Sequence, residues 1–217
     1  GSAVGITATC SDGHCFCWQS QPTIGTHAAG NILLAASILF TGLGPAKGLR
    51  MLSAIGVATI CERTFFRYQS KFLLPAVMKV WNEAQKRLLA EVEEQPVTIA
   101  GDGRADSPGF CAKYGTYTML DVARNKIVHL ELVQSNEVGG STHMELEGLK
   151  RGLQHLKAHG VSVTTIVTDR HCQIRKYLAN EQGHIDHRFD VWHIAKGNDL
   201  FLLLFLRPDV VHEISDL

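Results

Sequence analysis

The sequence predicts an α/β protein: a helical amino-terminal region followed by a mixed five-stranded sheet with flanking helices. Three observations carry this expectation. Strand-like and helix-like patterns alternate over residues 96–197. Two β-rich runs joined by a short polar turn read as a hairpin, which makes neighbouring strands antiparallel. Two later helix crossovers lead into strands that should pair parallel.

Four regions follow along the chain: an irregular leader over 1–30, a helical region over 31–95, the sheet region over 96–197 and an atypical tail over 198–217. The leader is rich in Gly, Thr, Ser and Cys and lacks periodicity. In the helical region, Ile32 to Phe40 is apolar on all sides and should be buried. Pro45 starts a second helix near Ala46–Ile55, and Gly56 breaks it. A third helix sets Cys61, Phe65, Tyr68 and Phe72 on one face, with Arg63, Arg67 and Lys71 every fourth residue on another. Pro75 permits a new helix start, whose stripe is Val77, Trp81, Ala84 and Leu88. Helix, glycine turn and basic helix have the outline of a helix-turn-helix, in which Arg63, Arg67 and Lys71 would meet DNA phosphates and guanine edges. An ordinary solvated face reads the same way.

The sheet region opens with Val97–Ala100, ending at Gly101-Asp102. Tyr117–Val122 and Lys126–Val133 form the hairpin around Ala123-Arg124-Asn125. Thr142 and Glu145 have capping-box spacing, and Leu146, Leu149, Leu153 and Leu156 mark a helix ending near Gly160. Val161–Thr168 is a β-branched run ending at Asp169, a helix extends to about Asn180, and Ile185, His187, Phe189 and Val191 alternate as a last strand.

Composition bounds the function only loosely. Of 217 residues, 45% are hydrophobic and 19% charged, enough to bury a core and too apolar for global disorder. Lys+Arg and Asp+Glu both number 21, so any nucleic-acid contact must rest on local patches. Asn31–Gly44 and Leu200–Leu206 are too short to span a bilayer. No secretory signal is visible. The expectation is an intracellular protein, nuclear in a eukaryote and otherwise cytoplasmic. The six cysteines read as reduced thiols. Cys10, His14, Cys15 and Cys17 cluster, and zinc is conceivable there; the frayed end of a preceding module is the plainer reading.

Asp102 and Asp169 each follow a β-rich run. If their strands are neighbours, the carboxylates converge at the carboxyl ends of the sheet, where two Mg²⁺ ions could be held. Alternatively, Asp169 caps the next helix and Asp102 belongs to a turn. Asp190 could neighbour such a site or orient His193, whose imidazole could position a phosphate or shuttle protons; an N-cap aspartate before a buried histidine is the alternative. Glu145 and Asp121 are further candidate ligands.

These residues also carry a resemblance. Gly101-Asp102-Gly103-Arg104, Lys113-Tyr114-Gly115-Thr116-Tyr117, the run Val133–Ser141, Thr168-Asp169-Arg170-His171 and Asp190-Val191-Trp192-His193 together resemble DDE transposases of the Mutator-like and related cut-and-paste type. The resemblance spans about 31–197 and is most specific over 99–197. It implies an RNase H-like core, Mg²⁺ or Mn²⁺, DNA as partner, and hydrolytic nicking followed by strand transfer, in a protein that could form homo-oligomers. Asp102 and Asp169 match the first two carboxylates, and Arg104 and Arg170 beside them would meet DNA. The third acidic residue has no counterpart, and the apolar tail after Gly197 departs from the family, so the expectation is a truncated core that does not cut DNA. A domesticated, non-catalytic DNA-binding or interaction protein is the alternative.

Overall fold

A computed structural model describes residues 1–190. The chain divides into two compact units, with the division between Glu83 and Ala84.

The first unit begins with two antiparallel pairs, β1 (Gly5–Thr9) with β2 (Cys15–Gln19), and β3 (Thr23–Ile24) with β4 (His27–Ala28). The helices α1 (Ala29–Phe40), α2 (Pro45–Ala54) and α3 (Glu62–Tyr68) follow. Their core joins Ile32, Ala35, Ile38, Leu49, Ile60, Phe65, Tyr68 and Leu73. Two expectations need correction. First, α1 buries one face only: Leu33 is 66% and Phe40 68% exposed. Second, Pro75 does not start a helix. A π-helical turn, Gln69–Leu73, leads directly into α4 (Leu74–Val92), placing Pro75 as its second residue. Proline has no N–H to give the carbonyl four residues back. The wider turn bonds the Leu74 N–H to the Gln69 carbonyl, five residues back, and the helical path passes the proline unbroken. The connection from α2 to α3, Ile55–Cys61, is seven residues, longer than the three or four of a compact helix-turn-helix.

The second unit contains β5 (Pro96–Ala105), β6 (Tyr114–Asp121), β7 (Lys126–Gln134), α5 (Met144–Ala158), β8 (Ser162–Thr168), α6 (Cys172–Glu181) and β9 (Asp186–Phe189). The sheet order is β7-β6-β5-β8-β9. The first three strands pair antiparallel, and β5-β8-β9 pair parallel. This is an α/β fold with a mixed five-stranded sheet, consistent with the RNase H-like arrangement. Val97, Ile99, Tyr117, Met119, Val128 and Ile166 pack from the sheet with Leu149 and Leu156 of α5 and Ile174 and Leu178 of α6. Each is the inward half of a period-2 or helical pattern, which is why the alternation was legible.

Two boundaries differ from the sequence expectation. β5 does not end at Asp102. It runs on to Ala105 because Tyr117, Thr116 and Gly115 of β6 continue the antiparallel ladder opposite Gly103, Arg104 and Ala105. And α5 has no capping box: a 3-10 turn, Ser141–His143, precedes it, and its cap residue is His143 with no side-chain cap bond. Among the described residues, no helix is long and apolar enough to cross a membrane.

Candidate active site

The register of the three parallel strands assembles the site. Ala100 pairs with Val167, and Val167 with Arg188. Two residues beyond these positions stand Asp102, Asp169 and Asp190. Because side chains alternate with period two, the three aspartates share a level and a sheet face. The Asp190 N–H donates to the Thr168 carbonyl at 2.9 Å, carrying the β8–β9 ladder to this level. Neighbouring strands lie about 4.8 Å apart, so consecutive aspartates are adjacent across the sheet. Together with Ala100, Thr118 and Val167 they line one open cleft.

Glu145, in the first turn of α5, stands against Gly103, on the other face of the sheet from the Asp102 side chain and outside the aspartate cleft. Its helix comes close to β5 because residue 103 is glycine: a Cβ there would lie 2.5 Å from the Glu145 Cγ. Burial, then Asp169 and Asp102, raise the Glu145 carboxyl from 4.5 to about 7. The positive end of the helix dipole would favour the anion, so these opposing effects outweigh it. The His171 Nε2 lies 4.0 Å from a Glu145 carboxylate oxygen, and the other ring nitrogen is buried with no hydrogen-bond partner. The Asp169 Oδ1 accepts the His171 N–H at 3.0 Å, which fixes the turn entering α6. His171, not Asp169, occupies the cap position of that helix.

Tyr117 is a residue that sequence reasoning missed. It is 1% exposed, and its hydroxyl is buried without a hydrogen-bond partner among the described residues. Burial, then Glu145, Asp169 and Asp102, raise its pKa above the ordinary phenol value. Two glycines make room for the ring: a methyl at Gly101 would overlap the hydroxyl, and one at Gly148 would overlap the Tyr117 Cβ. Gly101 and Gly148 belong to two other elements, so nothing in the sequence shows that they face this ring.

The remaining candidates fall as follows. Asp121 is fully buried, but it belongs to the β6–β7 turn, where it accepts from Arg124 at 2.8 Å and from the Ala123 N–H at 3.0 Å. Arg104 and Arg170 are exposed, next in the chain to Gly103 and Asp169. Arg63, Arg67 and Lys71 are all exposed in the first unit. His193 and the tail after Gly197 lie outside the described residues.

The donor set suits a hard divalent cation. Asp102, Asp169 and Asp190 offer only carboxylate oxygens, the ligands that Mg²⁺ and Mn²⁺ prefer. Among the described residues no Lys or Arg pairs with Asp102, Glu145 or Asp169, and the raised Glu145 pKa comes first from burial and then from the charges of Asp169 and Asp102. Their ligand atoms are spread wider than a single-ion cage. Among the described residues, the three-residue group drawn within 4.8 Å is instead Cys10, Asp12 and His14.

No protein-family model matches the chain, and no curated protein matches its sequence. Among solved structures, the chain is similar to the Drosophila P element transposase strand transfer complex, with a TM-score of 0.43 and 13% identity over 82% of this chain and 44% of that one. The chain thus spans less than half the length of that protein.

Proposed function

We propose that the second unit is the catalytic core of a DDE-type transposase, cleaving and transferring DNA strands with divalent cations. The observation that carries this reading is the row of Asp102, Asp169 and Asp190 across three parallel strands, lining one cleft. Sites of α/β sheets gather at the carboxyl ends of strands, and this sheet concentrates its carboxylates there.

In this reading Asp102 and Asp169 would hold Mg²⁺ or Mn²⁺, and Asp190 would complete the oxygen set. The cations, when bound, supply Lewis acidity at the attacking and leaving oxygens of the phosphodiester. Asp169 orients its carboxylate through the His171 N–H. The His171 imidazole stands 4.0 Å from the Glu145 carboxylate. Arg104 and Arg170 attract the DNA backbone to the strand ends, and Arg63, Arg67 and Lys71 add phosphate contacts from the first unit. The resemblance gives His193, outside the described residues, the role of positioning the scissile phosphate or shuttling protons.

The test is cleavage of a labelled DNA duplex by the natural full-length protein with Mg²⁺ or Mn²⁺. Asp102→Asn and Asp169→Asn should each abolish cleavage and leave DNA affinity largely intact, since each removes a charge with little change of volume. Cleavage at the wild-type rate by either variant would remove that residue from the catalytic set.

A further inference from the structure

The amino-terminal hairpin holds a second set of ligating side chains, of a different chemical kind. β1 and β2 pair from Gly5 with Gln19 to Thr9 with Cys15, and the chain reverses through Cys10-Ser11-Asp12-Gly13-His14. The Cys10 N–H donates to the His14 carbonyl at 3.0 Å, and the Gly13 N–H to the Cys10 carbonyl at 3.0 Å. Gly13 has φ +84°, a left-handed conformation that glycine adopts without strain. This is a three-residue hairpin loop closed by a left-handed glycine. It sets Cys10 and His14 opposite each other on the last rung and puts Asp12 at the tip between them.

The side chains converge accordingly. The Cys10 Sγ lies 3.4 Å from the His14 Nδ1, and the ligand atoms of Cys10, Asp12 and His14 all lie within 4.8 Å of one another. The alternation of the strand separates the other two thiols. Cys15 and Cys17 point to the opposite face, where they sit 3.2 Å from the Thr9 hydroxyl and 3.7 Å from the Thr7 hydroxyl. The four-residue cluster suggested by the sequence therefore splits, and Asp12 joins Cys10 and His14 in place of Cys15 and Cys17.

We propose that Cys10, Asp12 and His14 form a binding site for a thiophilic divalent cation of the zinc class. One thiolate, one imidazole and one carboxylate are the zinc donor types, whereas Mg²⁺ and Ca²⁺ select all-oxygen sets. Three protein ligands leave one position for water or a further ligand. On binding, the Cys10 thiol releases its proton to solvent, so affinity rises with pH. The hairpin also has a use for the ion. Every residue of β1 and β2 is exposed, and a lone two-stranded hairpin is marginally stable in water. Joining Cys10 to His14 across the turn holds the strands in register. The site differs from the carboxylate row in ligand softness, so the two should select different ions.

The experiment is a cobalt titration of the full chain in a phosphine reductant. Co²⁺ reports on thiolate ligation through a charge-transfer band in the near ultraviolet that oxygen ligands do not produce. The wild-type chain should show this band with one equivalent of Co²⁺, and Zn²⁺ but not Mg²⁺ should abolish it. Cys10→Ser and His14→Ala should each lose the band, while the double variant Cys15→Ser, Cys17→Ser keeps it. Absence of the band in the wild type, its survival in Cys10→Ser or unchanged in His14→Ala, or its loss in the double variant would each overturn the proposal. Far-ultraviolet circular dichroism of each variant separates loss of the site from loss of the fold.

Discussion

At the scale of single residues, the acids differ in how far the sequence exposes them. Asp102 and Asp169 stand out in the sequence because each follows a β-rich run; the ladder carries β5 past Asp102, and although His171 holds the cap position, the Asp169 Oδ1 accepts its N–H at the entry to α6. Glu145 was obscured by its spacing from Thr142, which suggests a capping box that the 3-10 turn removes. The Tyr117 hydroxyl could not be read at all, because its direction depends on glycines from two other elements. Glu145 yields a pH prediction for the metal-free protein. Between pH 4.5 and about 7 the folded chain keeps a proton that the unfolded chain has released, so stability falls as pH rises through that window. The full shift would correspond to roughly 3 kcal/mol. With a quarter of the side chain solvated, about 1–2 kcal/mol is the better expectation. Glu145→Gln should remove this slope in chelator-treated protein, measured by urea unfolding at pH 5 and pH 8; an equal slope in the variant would show that Glu145 is not the titrating group. Tyr117→Phe should leave stability unchanged or raise it by up to about 1 kcal/mol, because it deletes a buried hydroxyl with no partner. A loss above that size would mean the hydroxyl is bonded in solution.

At the scale of elements, strands were easier to read than helix junctions. Period-2 burial marks β6 and β8, but Gly101-Asp102-Gly103 resembles a turn, and only the pairing with β6 shows that β5 continues. Pro75 misled for a related reason. A proline signals a helix boundary by local rules, whereas a π-helical turn absorbs it here. The consequence is a continuous helical path through Arg63, Arg67 and Lys71 into α4. Tyr68 and Phe72 carry cation–π contacts from Arg67, 5.8 Å from the ring centroid, and Lys71, 5.3 Å. If these cations meet DNA phosphates, replacing all three by Ala should reduce the slope of log affinity against log salt by about three, near one for each phosphate no longer neutralised. A slope equal to the wild type's, measured by fluorescence anisotropy on a fixed duplex, would leave this an ordinary solvated face.

At the scale of the whole molecule, the order of elements sufficed to anticipate a mixed sheet, because hairpins impose antiparallel pairing and helix crossovers impose parallel pairing. What the order could not supply was the register that brings Asp190 level with Asp102 and Asp169, since a shift of one residue would turn its side chain to the other face. The central claim is that this row binds divalent cations. Calorimetric titration of the chain with Mn²⁺ tests it most directly, in a Cys10→Ser background that silences the hairpin. The parent should give a binding isotherm that is abolished by Asp102→Asn and by Asp169→Asn and weakened by Asp190→Asn. The same isotherm in Asp102→Asn and Asp169→Asn, or no binding in the parent, would contradict the claim.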